Sequence, residues 1–195
     1  MDHHMKRLEH FKNDEMKTGE IIFLGNSITE GADWAALTGK TNTLNRGIGG
    51  DITFGLLQRT DELIERKPAK IFVMIGINDI GKDIPPQVIS SNVSKLIRKI
   101  RSGSPSTEII IQSILPVNPE YPGFPQHYDK QNQVLITNQL IEKAAREQEI
   151  RYVNLYPYFL DDRLRLNQEL TTDGLHLNSR GYERWVELLK EWELF

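Results

Sequence analysis

Five short apolar runs, Ile21 to Leu24, Thr43 to Asn45, Ile71 to Ile75, Ile109 to Ile114 and Tyr152 to Leu155, alternate with stretches whose hydrophobic residues return at helical spacing. The intervening sets are Leu56-Leu57-Leu63-Ile64, Val88-Ile89-Val93-Leu96-Ile97-Ile100 and Val134-Leu135-Leu140-Ile141-Ala144-Ala145. Strand-length and helix-length patterns in alternation make βαβ units around a parallel sheet. The runs do not alternate with polar residues, which is the pattern of strands covered on both faces. The expected fold is α/β, a three-layer doubly wound sheet of five parallel strands. A last helix is expected just after His176, where Ser179 precedes Glu183 and the apolar set Trp185-Val186-Leu188-Leu189.

A chain of 195 residues can bury a sizeable core as one domain, here 1–195. It contains no cysteine, which excludes a disulfide scaffold, a thiol nucleophile and a zinc-thiolate site. The net charge is −3 and the basic residues are scattered, so no partner nucleic acid is expected. The apolar runs are of strand length and far short of a membrane span. Met1 to Lys6 carries no apolar leader, which reads as cytoplasmic for the chain as given, and as secreted or periplasmic if a leader has been trimmed. His3, His4 and His10 lack a cysteine or carboxylate partner at ligand spacing, and no metal is expected there.

The first apolar run delivers the chain into Gly25-Asn26-Ser27-Ile28-Thr29, and Asp173-Gly174-Leu175-His176 follows about 150 residues later. A serine on the turn from a buried strand into a helix has its hydroxyl at the sheet edge. An Asp and a His three residues apart can reach it from one loop as orienting group and base. Taken singly, Ser27 reads as a helix cap. Asn45-Arg46-Gly47-Ile48-Gly49-Gly50-Asp51 follows the second run, and its glycines either form a tight turn or bring a backbone N–H up to a ligand. It lacks the glycine spacing of a dinucleotide site. Gly76-Ile77-Asn78-Asp79 follows the third run, where Asn78 can donate to an oxyanion or hold a turn. All four motifs fall at one edge of the sheet. Glu30 reads as complementing the dipole of its helix, and Asp51 and Asp79 as holding their loops through side-chain to backbone bonds.

Leu115 to Tyr128 holds four of the nine prolines and three aromatics, so it is a stiffened loop leaving the carboxyl end of a strand. Ligands of open α/β sheets bind at that edge. Tyr121, Phe124 and Tyr128 are candidate substrate contacts, with aromatic faces suited to a sugar ring; packing on the protein body is the alternative. His127, in the same loop, reads as exposed.

With these blocks in hand, the chain resembles the SGNH hydrolases, the superfamily of the GDSL lipases and esterases, over nearly its whole length. The resemblance implies Ser27 as nucleophile, His176 as base and Asp173 as its orienting carboxylate. It implies oxyanion donors at Ser27 N–H, Gly50 N–H and the Asn78 amide, a flavodoxin-like strand order 2-1-3-4-5, and no cofactor. Asn26 and Ile28 stand where the family name has Asp and Leu; Asn keeps a similar shape and hydrogen-bonding ability without the charge. The first block is similar to that of platelet-activating-factor acetylhydrolase-like and carbohydrate acetylesterase members. The expected activity is a serine esterase cleaving a short-chain, acetyl, ester on a carbohydrate. The alternatives are a lysophospholipase or thioesterase with the same triad, an acyltransferase, or a non-catalytic binding module.

Overall fold

The structure, a computed structural model, describes residues 2–17 and 19–195. The chain runs α1 (His3–Asn13), β1 (Ile21–Gly25), α2 (Ser27–Glu30), α3 (Trp34–Thr38), β2 (Thr43–Gly47), α4 (Thr53–Gln58), α5 (Thr60–Arg66) and β3 (Lys70–Met74). It continues with α6 (Ile77–Gly81), α7 (Pro86–Gly103), β4 (Glu108–Gln112), α8 (Gln131–Glu147), β5 (Arg151–Val153) and α9 (Ser179–Glu191). The five strands form one sheet in the order β2-β1-β3-β4-β5, all pairs parallel. This is the expected architecture and order.

Register positions the site. Gly25, the last residue of β1, pairs with Gly47 of β2 and with Met74 of β3. Three strands therefore end level, and Asn26-Ser27, Ile48 to Asp51 and Ile75 to Asn78 emerge together at one edge, where α/β sheets bind their ligands. Each expected strand is found with its bounds moved by a few residues. The set Leu56 to Ile64, read as one helix, is two: the helical path breaks at Arg59, whose guanidinium turns inward to Asp51 Oδ2 (2.9 Å) and Gly25 O (3.0 Å).

Helix α7 packs on α4, α5 and α8, and α3 on α9, as helical layers on the two sides of the sheet. Helix α7 starts with Pro86 in its first turn, where a missing N–H costs nothing, and buries Ile89, Val93, Leu96, Ile97 and Ile100, one face of a 3.6-residue period. Each such side chain contributes about 1.5–3 kcal/mol by leaving water. On the other side the core is aromatic. Phe23 stacks on Trp34 at 3.7 Å, and Trp185 meets Trp34 edge-on at 4.9 Å. Their polar ends are satisfied: Trp34 Nε1 donates to Thr29 O and Trp185 Nε1 to Gln112 Oε1, while Tyr182 Oη donates to Ile28 O. Tyr182 thereby ties α9, which follows His176, to α2, which begins at Ser27.

Helix α1 has no clear apolar period and was not legible as an element. It docks through one buried side chain, Phe11, whose ring lies against the guanidinium groups of Arg7, Arg46 and Arg59 at 4.8, 4.5 and 5.9 Å. Arg46 pairs with Asp14 and Glu62, and Arg66 with Glu62 and Glu20. No helix among the described residues is long and apolar enough to cross a membrane.

Candidate active site

Asn26, not Ser27, caps α2: its side-chain oxygen accepts from Ile28 N–H at 3.0 Å. The cap reading of Ser27 therefore gives way, and its hydroxyl is left to face His176. The distance from Ser27 Oγ to His176 Nε2 is 2.9 Å, and from His176 Nδ1 to Asp173 Oδ2 2.8 Å. With the ring proton on Nδ1, His176 donates to Asp173 and accepts from the Ser27 hydroxyl. Asn26 thus caps the helix without placing a charge next to Ser27.

The Asp173–His176 turn organises itself. Asp173 Oδ1 accepts from the backbone N–H groups of Leu175 and His176 at 3.0 and 2.8 Å. Burial pushes the Asp173 carboxyl upward, but the bonds from the His176 amide, the His176 ring and the Leu175 amide together outweigh it and hold the group below the usual carboxylate value of 3.8. Thr171 Oγ1 braces the turn by donating to His176 O and accepting from Gly174 N–H, and Gly174 O accepts from Asn118 N–H.

Opposite lies the Gly47–Asp51 loop. Gly50 has φ +78°, a left-handed conformation in which a side chain would be strained. Glu30 Oε2 accepts from Gly49 N–H, and the same carboxylate pairs with Arg7 and His3 of α1. Glu30 lies in the first turn of α2, where the dipole reading placed it, and its carboxylate also holds the loop. His3 reaches this carboxylate while its side chain stays 59% exposed. Arg7 also donates to Gly47 O, and Asp51 is held by Arg59. Asn78 lies in α6 and donates through Nδ2 to Asp51 O at 3.0 Å, which leaves its second amide hydrogen free. The next residue, Asp79, is fully buried and accepts from Thr53 N–H and Thr53 Oγ1. Burial raises its pKa.

Ser27, Gly50, Asn78 and His176 line one cleft of about 380 Å³, together with Gly81, Lys82, Phe124, Gln126, His127 and Leu175. Of the three aromatic candidates in the proline-rich loop, Phe124 is in the wall, edge-on to the His176 ring at 5.1 Å. Tyr121 and Tyr128 are not among the lining residues. Tyr121 packs over Gly174, and Tyr128 Oη is turned into its own loop, donating to Tyr121 O and accepting from Phe124 N–H. His127, read as exposed, is 4% exposed and lies in the wall. A single 3-10 turn, Pro125–His127, turns it inward, and an aperiodic segment gave no signal of that. Gly81 and Lys82 were missed although a signal existed: Gly81 ends α6 and Lys82 caps it, three and four residues after Asn78 and so on the same side. Among the described residues no group of three or more His, Asp or Glu is placed to hold a metal ion.

The profile of the GDSL-like lipase/acylhydrolase family matches residues 23–184. Human platelet-activating factor acetylhydrolase IB subunit alpha1 is 24% identical over 173 residues, 85% of this chain and 71% of that one. A Streptococcus pneumoniae structure described as a platelet activating factor superposes with a TM-score of 0.85 at 30% identity, covering 97% of this chain and 92% of that one. A variant of an acetyl-xylooligosaccharide esterase from Geobacillus shares the fold, with a TM-score of 0.71 at 18% identity over 91% of this chain and 96% of that one. With the family matched from the β1 strand into α9, the chain belongs to the GDSL-like lipase/acylhydrolase family and is an ester-hydrolysing enzyme.

Proposed function

We propose that the protein is a serine esterase that removes a short acyl group, acetyl, from a polar alcohol of the carbohydrate class. The observation that carries the reading is the Asp173–His176–Ser27 relay, with links of 2.8 and 2.9 Å, whose Ser27 and His176 line the cleft. His176 Nε2 takes the Ser27 proton as Oγ bonds to the acyl carbon, and the carbonyl electrons move onto oxygen. That oxyanion is received by Ser27 N–H, Gly50 N–H and the free hydrogen of the Asn78 amide. The imidazolium, held by Asp173, returns its proton to the leaving alcohol, and water activated by the same ring then releases the carboxylic acid. The acetyl and carbohydrate assignments are supported by the Geobacillus esterase of the same fold and by a cleft whose rim carries Lys82 and Gln126.

A fluorophosphonate should label Ser27 and no other residue of the folded protein, and Ser27→Ala should lower kcat by roughly 10⁴-fold or more. Among p-nitrophenyl esters, acetate and butyrate should exceed octanoate in kcat/KM. A rate that climbs with chain length would replace this reading with a lysophospholipase or thioesterase, and absence of a Ser27 adduct would end the esterase assignment.

A further inference from the structure

Of the residues that line the cleft, Lys82 alone carries a permanent charge, and no Asp or Glu is among them. The chain as a whole has a net charge of −3, so a cleft lined by a cation and no carboxylate departs from the balance of the molecule. The backbone of Lys82 is fixed. Its N–H closes the turn that begins at Asn78, donating to Asn78 O and Asp79 O at 3.1 and 3.0 Å. The side chain is exposed and, among the described residues, has neither an ion pair nor a hydrogen bond. The adjacent carboxylate, Asp83, pairs with Lys130 instead, at 2.7 Å. A lysine after the last turn of a helix also complements the helix dipole. That role alone would leave substrate preference untouched.

In the proposed reaction His176 hands its proton to the leaving oxygen, so the alcohol departs beside the His176 ring. Phe124 stands edge-on to that ring at 5.1 Å, His127 lies 6.2 Å beyond Phe124, and the His127 ring packs on Gly81. The wall on the alcohol's side therefore runs to the end of α6, where Lys82 follows. We infer that Lys82 is a specificity-determining residue, attracting an anionic group, carboxylate or phosphate, carried by the leaving alcohol. The inference deepens the esterase reading of Ser27 and rests on it: the polar alcohol becomes an acidic one, of the kind a uronate or a sugar phosphate presents. An ammonium is a compact point charge on a flexible stem and needs no fixed fork of acceptors, so either anion can meet it. Because the side chain is exposed, water screens the attraction, and its effect on rate is about severalfold, not orders of magnitude.

The test places one acyl group on three alcohols: 3-acetoxybenzoate, 3-acetoxyphenyl phosphate and the neutral methyl 3-acetoxybenzoate. The readout is the ratio of kcat/KM for each anionic ester to that for the neutral one, compared between wild type and variants so that the intrinsic reactivity of the leaving phenols cancels. The ratio should fall about fivefold in Lys82→Gln, fall further in Lys82→Glu and hold in Lys82→Arg. High salt should lower it in wild type and not in Lys82→Gln. The anion with the larger fall identifies the charge that the alcohol carries. A ratio left unchanged by Lys82→Glu overturns the inference, and so does a fall that appears instead on the acyl side, between the phenyl esters of succinate and butyrate. A fluorophosphonate adduct at Ser27 with no turnover of either anionic ester overturns it too. Wild type inactive on every ester and without that adduct would instead remove the esterase reading beneath it.

Discussion

On the Gly47–Asp51 side of the cleft, the loop is held at four points by charged or amide side chains from other elements. Glu30 holds Gly49 N–H, Arg7 holds Gly47 O, Arg59 holds Asp51, and Asn78 holds Asp51 O. On the Leu115–Tyr128 side, Asn118 and Glu120 tie the inner half of the loop to Leu166 and Arg165, and the outer half is held by its own prolines, by the Tyr128 hydroxyl and by aromatic edges. In the proposed reaction the first wall receives the carbonyl oxygen, whose chemistry is the same for every ester and repays donors fixed in advance. In the same proposal the second is left for the part of the substrate that differs between esters. On the proposed function, charge-assisted bracing accompanies the reaction, and a loop whose tip is held mostly by its own residues accompanies substrate choice.

The comparison breaks most severely if a proposed oxyanion donor is removed. Asn78→Ala should lower kcat by about 10² to 10³ with little change in KM, measured on p-nitrophenyl acetate. A mutant that raised KM alone would assign Asn78 to ground-state binding. Next in size is Glu30→Ala, which frees Gly49 N–H and leaves Arg7 without its carboxylate. We expect kcat to fall about tenfold, and melting temperature to fall with it, since a hydrogen bond to a charged group is worth about 1.5–3 kcal/mol. Unchanged kcat would show that α1 and Glu30 brace a loop that does not need bracing.

The opposite wall is sharpened by pH. Because the folded protein lowers the His127 pKa, the unfolded chain takes up a proton below about 6.5 that the folded ring refuses. Stability should therefore be complete above that pH and decline as pH falls through 6.5 toward the lower folded value. Urea titrations at pH 7.5 and 5.5 should show this decline in wild type and a smaller one in His127→Phe. Smallest is Tyr128→Phe, which deletes a hydroxyl holding the loop to itself. It should cost about 1 kcal/mol of stability and change kcat on p-nitrophenyl acetate by less than threefold. A large kcat loss there would contradict the division between the walls.

Much of the fold was legible because it rests on short-range pattern. Runs such as Ile71 to Ile75 and the Ile89-Val93-Leu96-Ile97-Ile100 face announce strand and helix by periodicity alone. The blocks around Ser27, Gly50, Asn78 and His176 were legible for a similar reason: each is contiguous and sits just after a recognisable strand or before a recognisable helix. Helix α1 was not, since its docking depends on one phenylalanine meeting arginines from distant elements. The Tyr121, Phe124 and Tyr128 candidates illustrate the same limit, because a loop without period does not say which of its side chains face inward.

By itself, then, the sequence determined the α/β layering, the level ends of its strands as a place for chemistry, and the residue types available there, all consequences of local pattern and strand burial. Only the tertiary structure decided that Asn26 takes the cap and leaves Ser27 to His176, that Glu30 serves the Gly49 loop, and that His127 lies under the wall instead of in water. Those choices are settled by which polar groups meet partners across long stretches of chain, and a buried hydrogen-bonding group is stabilised or penalised by the neighbours that folding brings to it.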